Sequence, residues 1–168
     1  MAISRVFNRV WLVVSPQNPL KPARSLAPDF ARFDMVRAAV LDNPLLEAKD
    51  TEFALPKPSF TAVTLAHLRN KEPGHRFSLI LGQDNLENFT RWKNHEAILA
   101  EHHLYVYPRP GASTPEVFAG HPHIHLVEAP MLEISATMVR QRVAAGQPIR
   151  YLVHPEVEAY IDSRKLYT

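Results

Sequence analysis

Val10-Trp-Leu-Val-Val14, followed by Ser15-Pro-Gln-Asn-Pro19, is the stretch that decides the fold class. A short apolar, β-branched run that ends in turn-forming residues is typical of a strand buried on both faces of a parallel sheet. Similar runs lie at 77–81, 104–107 and 124–127. These four runs predict the strands of one sheet.

Amphipathic segments separate the predicted strands. In the first, Phe30, Phe33, Val36 and Val40 recur at spacings of three and four until Asn43-Pro44 ends the pattern, which predicts a helix. Further helices are predicted over 59–70 with Ser59 or Thr61 as cap, over 88–102, from a Ser135 cap through 145 to Gly146, and from Pro155 onward.

Alternation of strands with helices implies crossover connections and therefore a doubly wound parallel α/β sheet of the Rossmann-like kind. Ligands of such sheets bind beyond the carboxyl ends of the strands. This rule directs attention to four loops, at 15–21, 82–85, 108–111 and 132–137.

The composition is that of an ordinary globular domain, with 46% hydrophobic and 21% charged residues. No apolar run approaches the roughly 18 residues of a membrane span, so we expect one cytoplasmic domain over 1–168. The absence of cysteine excludes disulfides and thiolate chemistry. The 19 basic and 17 acidic residues are scattered, which argues against DNA or RNA as a partner.

Ile134-Ser-Ala-Thr-Met-Val-Arg140 is the strongest candidate for an anion site. The first amides of a helix and its dipole attract anions, and Ser135 and Thr137 add hydroxyls while Arg140 adds a guanidinium suited to phosphate. The alternative is a plain N-cap followed by a solvated arginine. The residues alone leave both interpretations open.

Two further segments carry polar or aromatic groups near predicted strand and helix ends. Asp84 follows a buried strand, where it could accept from ribose hydroxyls, and Trp92 could stack on a flat heterocycle. Their alternatives are a capping aspartate and a core tryptophan. Pro56-Lys-Pro-Ser-Phe-Thr61 is a stiff turn into a helix whose amides could hold an anion, or simply a capped helix.

Histidines at alternate positions in His121-Pro-His-Ile-His125 share one face of a strand, as metal ligands would. No cysteine accompanies them, and we favour a solvent-facing strand edge without a metal. We interpret His102 and His103 as the polar end of a helix.

Together these segments resemble bacterial nicotinate-nucleotide adenylyltransferases, of the nucleotidyltransferase superfamily, over nearly the whole chain. The resemblance rests on Val10–Lys21, Arg32–Val36, Lys57–Thr61 with Thr64 and Leu65, Gly82–Asp84 with Phe89 and Trp92, Ile134–Arg140, and His154–Ile161. The Ile-Ser-x-Thr-x-x-Arg signature alone indicates only the superfamily. The Ser-Phe-Thr and Asp-to-Trp segments indicate the nicotinate branch.

The resemblance implies an ATP site. Ser135, Thr137 and Arg140 would bind the ATP phosphates, and Lys21 would approach the triphosphate. The implied reaction is NAD biosynthesis by in-line attack of the mononucleotide 5′-phosphate on the ATP α-phosphorus, with Mg²⁺ and release of pyrophosphate.

The resemblance also implies a site for nicotinate mononucleotide. Asp84 would meet a ribose or the adjacent nucleotide, Trp92 would stack on the nicotinate ring, and Thr61 would lie against its carboxylate through backbone amides. The sequence leaves open the choice between nicotinate and nicotinamide mononucleotide, and whether the chain forms a homo-oligomer.

One part of the family pattern is missing from these 168 residues. Members begin with a strand, a Gly-x-Phe-x-Pro-x-His-x-Gly-His loop and a helix, whereas no histidine here precedes His67. No catalytic residue is therefore assigned, and we expect an N-terminally incomplete domain that lacks its first βα unit. The alternatives are a relative that binds nucleotide without turnover, and a variant with a substitute device.

Overall fold

The structure is a computed structural model that describes residues 6–17 and 26–168. Within these residues, parallel strands alternate with helices, which confirms the predicted α/β class. The elements are β1 Val10–Val13, α1 Asp29–Val40, β2 Leu46–Lys49, α2 Thr61–Lys71, β3 Leu79–Gly82, α3 Gln83–Glu87, α4 His95–Glu101, β4 Leu104–Tyr107, β5 Ile124–Leu126, α5 Ala136–Ala144 and α6 Pro155–Arg164.

The described chain divides into two compact units. The central unit comprises residues 59–133, and the flanking unit comprises 6–17, 26–58 and 134–168. Each unit holds one hydrogen-bonded sheet, with β1 parallel to β2 in the flanking unit and the order β3-β4-β5, also parallel, in the central unit. The four predicted strands are confirmed, and β2 is an addition.

The core of the central unit forms around β4, its middle strand. Leu104 and Val106 of β4 are fully buried, together with Leu86, Phe89 and Ile98. A strand with neighbours on both sides and helices against its face has little access to solvent, which explains its continuous apolar sequence. This packing fixes the carboxyl ends of β3 and β4, where the candidate site lies.

The predicted helix over 88–102 is confirmed only in its second half. The chain after α3 forms a 3-10 turn at Phe89–Arg91 and then α4 over His95–Glu101, so the predicted continuous helix is interrupted. Asn94 takes a left-handed backbone conformation with φ 56°, which an α-helix cannot accommodate in its interior. The predicted cap of α2 is wrong, because Phe60 occupies the N-cap position and no side chain caps the helix.

The flanking unit is built around contacts of α1 with β2 and α6. Tyr160 of α6 donates a hydrogen bond to Asp34 of α1 at 3.1 Å. Burial, together with this hydrogen bond and the Asp34 charge, raises the pKa of Tyr160. The predicted limits of α5 are confirmed, since Ser135 is its N-cap and Gly146, with φ 65°, follows its end.

Among residues 6–17 and 26–168, no helix is both long enough and apolar enough to cross a bilayer.

Candidate active site

The N-terminus of α5 in the flanking unit has the geometry of an anion site. The Ser135 hydroxyl oxygen accepts a hydrogen bond from the Met138 amide at 3.1 Å, and the Ser135 carbonyl accepts from the Val139 amide at 3.0 Å. The amides of Ala136 and Thr137 precede these bonds and are the helix donors that point outward. The predicted N-cap role of Ser135 is confirmed, and its role toward phosphate stays a prediction.

Thr137 and Arg140 lie together on the first turn and a half of α5. A terminal nitrogen of Arg140 donates to the Thr137 hydroxyl oxygen at 3.2 Å. In the described part of the chain, no carboxylate forms an ion pair with Arg140. Arg140 is half-buried, and the alternative of a solvated arginine stays open. Lys21 lies outside the described residues.

Loop residues at the carboxyl ends of β3 and β4 meet in the central unit. The strand register pairs Gly82 with Tyr107, so the segments after them are neighbours. The Asp84 carboxylate lies 3.6 Å from the side-chain Nε of Arg109, whose guanidinium lies 5.8 Å from the centre of the Tyr107 ring. Asp84 keeps 53% of its side chain exposed, which leaves its carboxylate open to a ligand hydroxyl.

Gly82 is required by this close arrangement. A Cβ added at this position would collide with the Asp84 carboxylate and lie 3.1 Å from Cγ of Arg109 and 3.3 Å from Cζ of Tyr107. The alternative of a capping aspartate is wrong, because Gly82 is the N-cap of α3 and no side chain caps it. The sequence directed attention to the loop after β4, but nothing in it singled out Arg109 as the residue that lies beside Asp84.

Thr61 is the first residue of α2 in the central unit. The Phe60 carbonyl accepts from the amides of Val63 at 2.9 Å and Thr64 at 3.1 Å. The amides of Thr61 and Ala62 therefore precede the helical hydrogen bonds, as the predicted contact with a carboxylate requires.

Trp92 is partly a core residue and partly exposed. Its ring lies 5.3 Å from the fully buried ring of Phe89 and packs against the core of the central unit. The side chain as a whole is half-buried. One face of the indole is thus anchored by packing, while the side chain keeps surface on which a flat ring could stack.

A cation–π contact places the two predicted mononucleotide-binding segments side by side. The Lys93 ammonium lies 4.5 Å from the centre of the Phe60 ring. Since Lys93 follows Trp92 and Phe60 precedes Thr61, the tryptophan and the start of α2 are brought to one region. Sequence reasoning missed Lys93, because nothing in its local sequence indicates the distant phenyl ring.

Arg32 of α1 binds main-chain oxygens on both sides of the loop that follows β1. Its guanidinium donates to the carbonyls of Ser15 at 2.7 Å, Pro16 at 3.1 Å and Ala27 at 3.2 Å. The Arg32 side chain is only 17% exposed. It therefore holds the backbone that follows β1 beside the backbone that precedes α1.

Asp29 completes this charged cluster. Its carboxylate oxygens lie 2.7 Å from Arg32 and 3.2 Å from the Lys57 ammonium. Burial opposes ionisation, but the hydrogen bonds and charges of Arg32 and Lys57 outweigh it and lower the pKa of Asp29. Asp29 thereby joins the start of α1 to Lys57, which is the first residue of the Lys-Pro-Ser-Phe-Thr segment.

The histidines form a cluster at the edge of the central sheet. His103 Nδ1 lies 2.8 Å from His125 Nε2, and the His123 ring centre lies 4.6 Å from that of His103. No group of three or more potential ligands in the described ranges is arranged to hold a metal. His102 does end a helix, since it is the C-cap residue of α4, but it is buried and its Nδ1 lies 2.9 Å from the Phe77 carbonyl oxygen.

Comparisons with known proteins agree with this geometry. A family model described as "Cytidylyltransferase-like" matches residues 1–142. A Cytophaga hutchinsonii protein named "Probable nicotinate-nucleotide adenylyltransferase" is 53% identical over 168 residues, which are 100% of this chain and 87% of that protein. A Flavobacterium psychrophilum protein of the same name is 44% identical over 99% of this chain and 87% of its own length.

Solved structures show the same fold. Plasmodium falciparum nicotinic acid mononucleotide adenylyltransferase, complexed with NaAD, superposes with a TM-score of 0.78 at 20% identity, over 95% of this chain and 82% of its own. Its low identity limits this likeness to the fold, whereas the bacterial relatives are similar in sequence along the chain. This chain belongs to the nicotinate-nucleotide adenylyltransferase family.

Proposed function

We propose that the chain transfers the adenylyl group of ATP to nicotinate mononucleotide, giving deamido-NAD and pyrophosphate in NAD biosynthesis. The observation that carries this proposal is 53% identity, over the whole chain, to a relative with that name. The chain also carries candidate groups of the required chemistry, namely an anion-binding helix start at α5 and an aromatic surface at Trp92.

The reaction requires positioning and charge stabilisation. An oxygen of the mononucleotide 5′-phosphate forms a bond to the ATP α-phosphorus while the α–β phosphoanhydride bond breaks, and pyrophosphate leaves with the electron pair. In this proposal, the outward amides of α5, the Thr137 hydroxyl and the Arg140 guanidinium hold the phosphates as negative charge shifts to the leaving group. Ser135 orients this helix end, and Lys21 approaches the triphosphate.

We propose Mg²⁺ as the accompanying ion, carried by the ATP phosphates. Mg²⁺ usually keeps several waters and binds substrate phosphates with one or two protein carboxylates. When bound, it would neutralise charge on the phosphates.

The mononucleotide would lie in the central unit. Trp92 offers an aromatic surface to the pyridine ring, the Thr61 and Ala62 amides offer donors to its carboxylate, and Asp84 offers an acceptor to ribose hydroxyls. Arg109, held beside Asp84, adds a cation at the same sheet edge. We also propose that the partners of the chain are these small nucleotides and not nucleic acid. We propose the cytoplasm as the site of the reaction, because a chain without cysteine fits a reducing compartment.

Pyrophosphate release tests the proposal. The purified chain, given ATP, Mg²⁺ and nicotinate mononucleotide, should release pyrophosphate and form deamido-NAD in equal amounts. Omission of the mononucleotide is the control for simple ATP hydrolysis. Binding of both nucleotides without any product would instead support the alternative of a nucleotide-binding relative without catalysis.

A further inference from the structure

We propose that Lys93 determines specificity at the acceptor site, by pairing with the carboxylate of nicotinate mononucleotide and so selecting it over nicotinamide mononucleotide. This inference rests on the proposed function and assigns a residue that the sequence reasoning did not single out. It concerns only residues of the central unit.

The position of the Lys93 ammonium carries the inference. It lies 4.5 Å from the centre of the Phe60 ring, and Phe60 is the N-cap residue of α2. The amides of Thr61 and Ala62 follow directly, and Trp92 is the residue before Lys93. We therefore expect a pyridine ring stacked on Trp92 to have this cation near its substituent, at the start of α2.

The backbone around Lys93 is held firmly enough to place this charge. The Trp92 amide donates to the Phe89 carbonyl at 2.9 Å, and the His95 amide donates to the Trp92 carbonyl at 3.2 Å. Between these bonds, Asn94 adopts φ 56° and turns the chain into α4. Phe89 itself is fully buried, so the turn that carries Lys93 is anchored in the core.

The charge on Lys93 is available to a ligand. In the part of the chain that the structure describes, no carboxylate lies within ion-pair distance of its ammonium. The Phe60 ring holds the side chain but does not neutralise it. A carboxylate gains a charge-assisted hydrogen bond from such an ammonium, whereas a neutral carboxamide gains far less. Nicotinate mononucleotide carries the carboxylate and nicotinamide mononucleotide carries the carboxamide, so the Lys93 ammonium would favour the first.

Binding measurements on the whole chain test this without requiring turnover. Trp92 fluorescence, in a Trp11→Phe background that removes the second tryptophan, reports the titration of either mononucleotide. Lys93→Met keeps the length of the side chain and removes its charge. We expect it to weaken nicotinate mononucleotide binding by about tenfold and to change nicotinamide mononucleotide binding by less than about twofold.

Two controls separate charge from packing. Lys93→Arg keeps the cation and should retain most of the selectivity. Lys71→Met removes the same charge from the other end of α2 and should leave both affinities unchanged.

The possible failures are distinguishable. Equal weakening of both mononucleotides by Lys93→Met would show that Lys93 supports the site only through Phe60, and would overturn this inference alone. Unchanged selectivity in that variant would do the same. If the unsubstituted protein binds neither mononucleotide, the proposed function falls, and this inference falls with it.

Discussion

Arg140 combines a hydrogen bond to Thr137 with further guanidinium donors for a phosphate. Arg140→Ala should therefore weaken ATP binding by about 1.5–3 kcal/mol, the worth of a charge-assisted hydrogen bond, while the thermal midpoint of unfolding changes little. Isothermal titration calorimetry measures the affinity. Arg142→Ala is the matched control, since it removes the same charge from α5 but donates to the Pro148 carbonyl. An unchanged ATP affinity in Arg140→Ala would remove Arg140 from the phosphate site.

Gly82 gives a second prediction at the residue scale. In Gly82→Ala, the new Cβ displaces the Asp84 carboxylate and the Arg109 side chain, which can both move toward solvent. We therefore expect weaker nucleotide binding and a loss of stability below about 1 kcal/mol. Gly74→Ala is the control, because nothing lies within 4 Å of a Cβ there. Chemical denaturation and nucleotide titration of both variants check the prediction. Equal behaviour of the two would show that the sheet edge tolerates the added methyl group.

Some site residues could be predicted from sequence because their signal is local. Ser135 precedes a helix, and Asp84 follows a strand, so motif and element together place them. Arg109 and Lys93 could not be found this way, since their positions depend on contacts between distant segments. Arg109 reaches Asp84 through the pairing of β3 with β4, and Lys93 reaches Phe60 across 33 residues of chain.

At the scale of elements, the continuous apolar strands were predictable and β2 was not. Leu46-Glu-Ala-Lys49 has two charged residues in four, which conceals its parallel pairing with β1. The structure shows how the charge is accommodated, because the Lys49 ammonium lies 4.4 Å from the centre of the Trp11 ring and 2.5 Å from Glu47. Tertiary contact overrides the weak local propensity of such a strand.

The histidine cluster predicts pH-dependent stability of the β4–β5 edge. Desolvation, followed by the charges of His123, His125 and Arg76, lowers the pKa of the exposed His103. The unfolded chain therefore binds a proton at His103 more readily, and stability should fall as the pH drops below the unfolded value of 6.5 toward the lower folded pKa. The pKa of Asp29 is lowered from 3.8, so its ion pairs affect stability only in a separate, more acidic pH range.

Denaturation at several pH values between 5 and 7.5 measures this effect. His103→Gln removes the titrating ring, so its unfolding free energy should vary less with pH than that of the unsubstituted chain. His67→Gln, on α2 outside the cluster, is the control and should keep the original slope. The same pH slope in all three proteins would exclude His103 as the cause.

At the scale of the whole molecule, the described chain divides into two compact units, and each unit holds its own parallel sheet. The proposed phosphate-binding groups of α5 belong to the flanking unit, whereas Thr61, Asp84 and Trp92 belong to the central unit.

The contacts of Arg32 have a consequence for how this family can diversify. Its guanidinium binds the main-chain oxygens of Ser15, Pro16 and Ala27, and every residue type carries such an oxygen. Selection can therefore exchange the side chains at these three positions while the ends of the loop stay in place. Arg32 itself has no such freedom, because no other side chain presents five donors in one rigid plane. Related sequences should drift at the loop ends and keep their arginine on the helix.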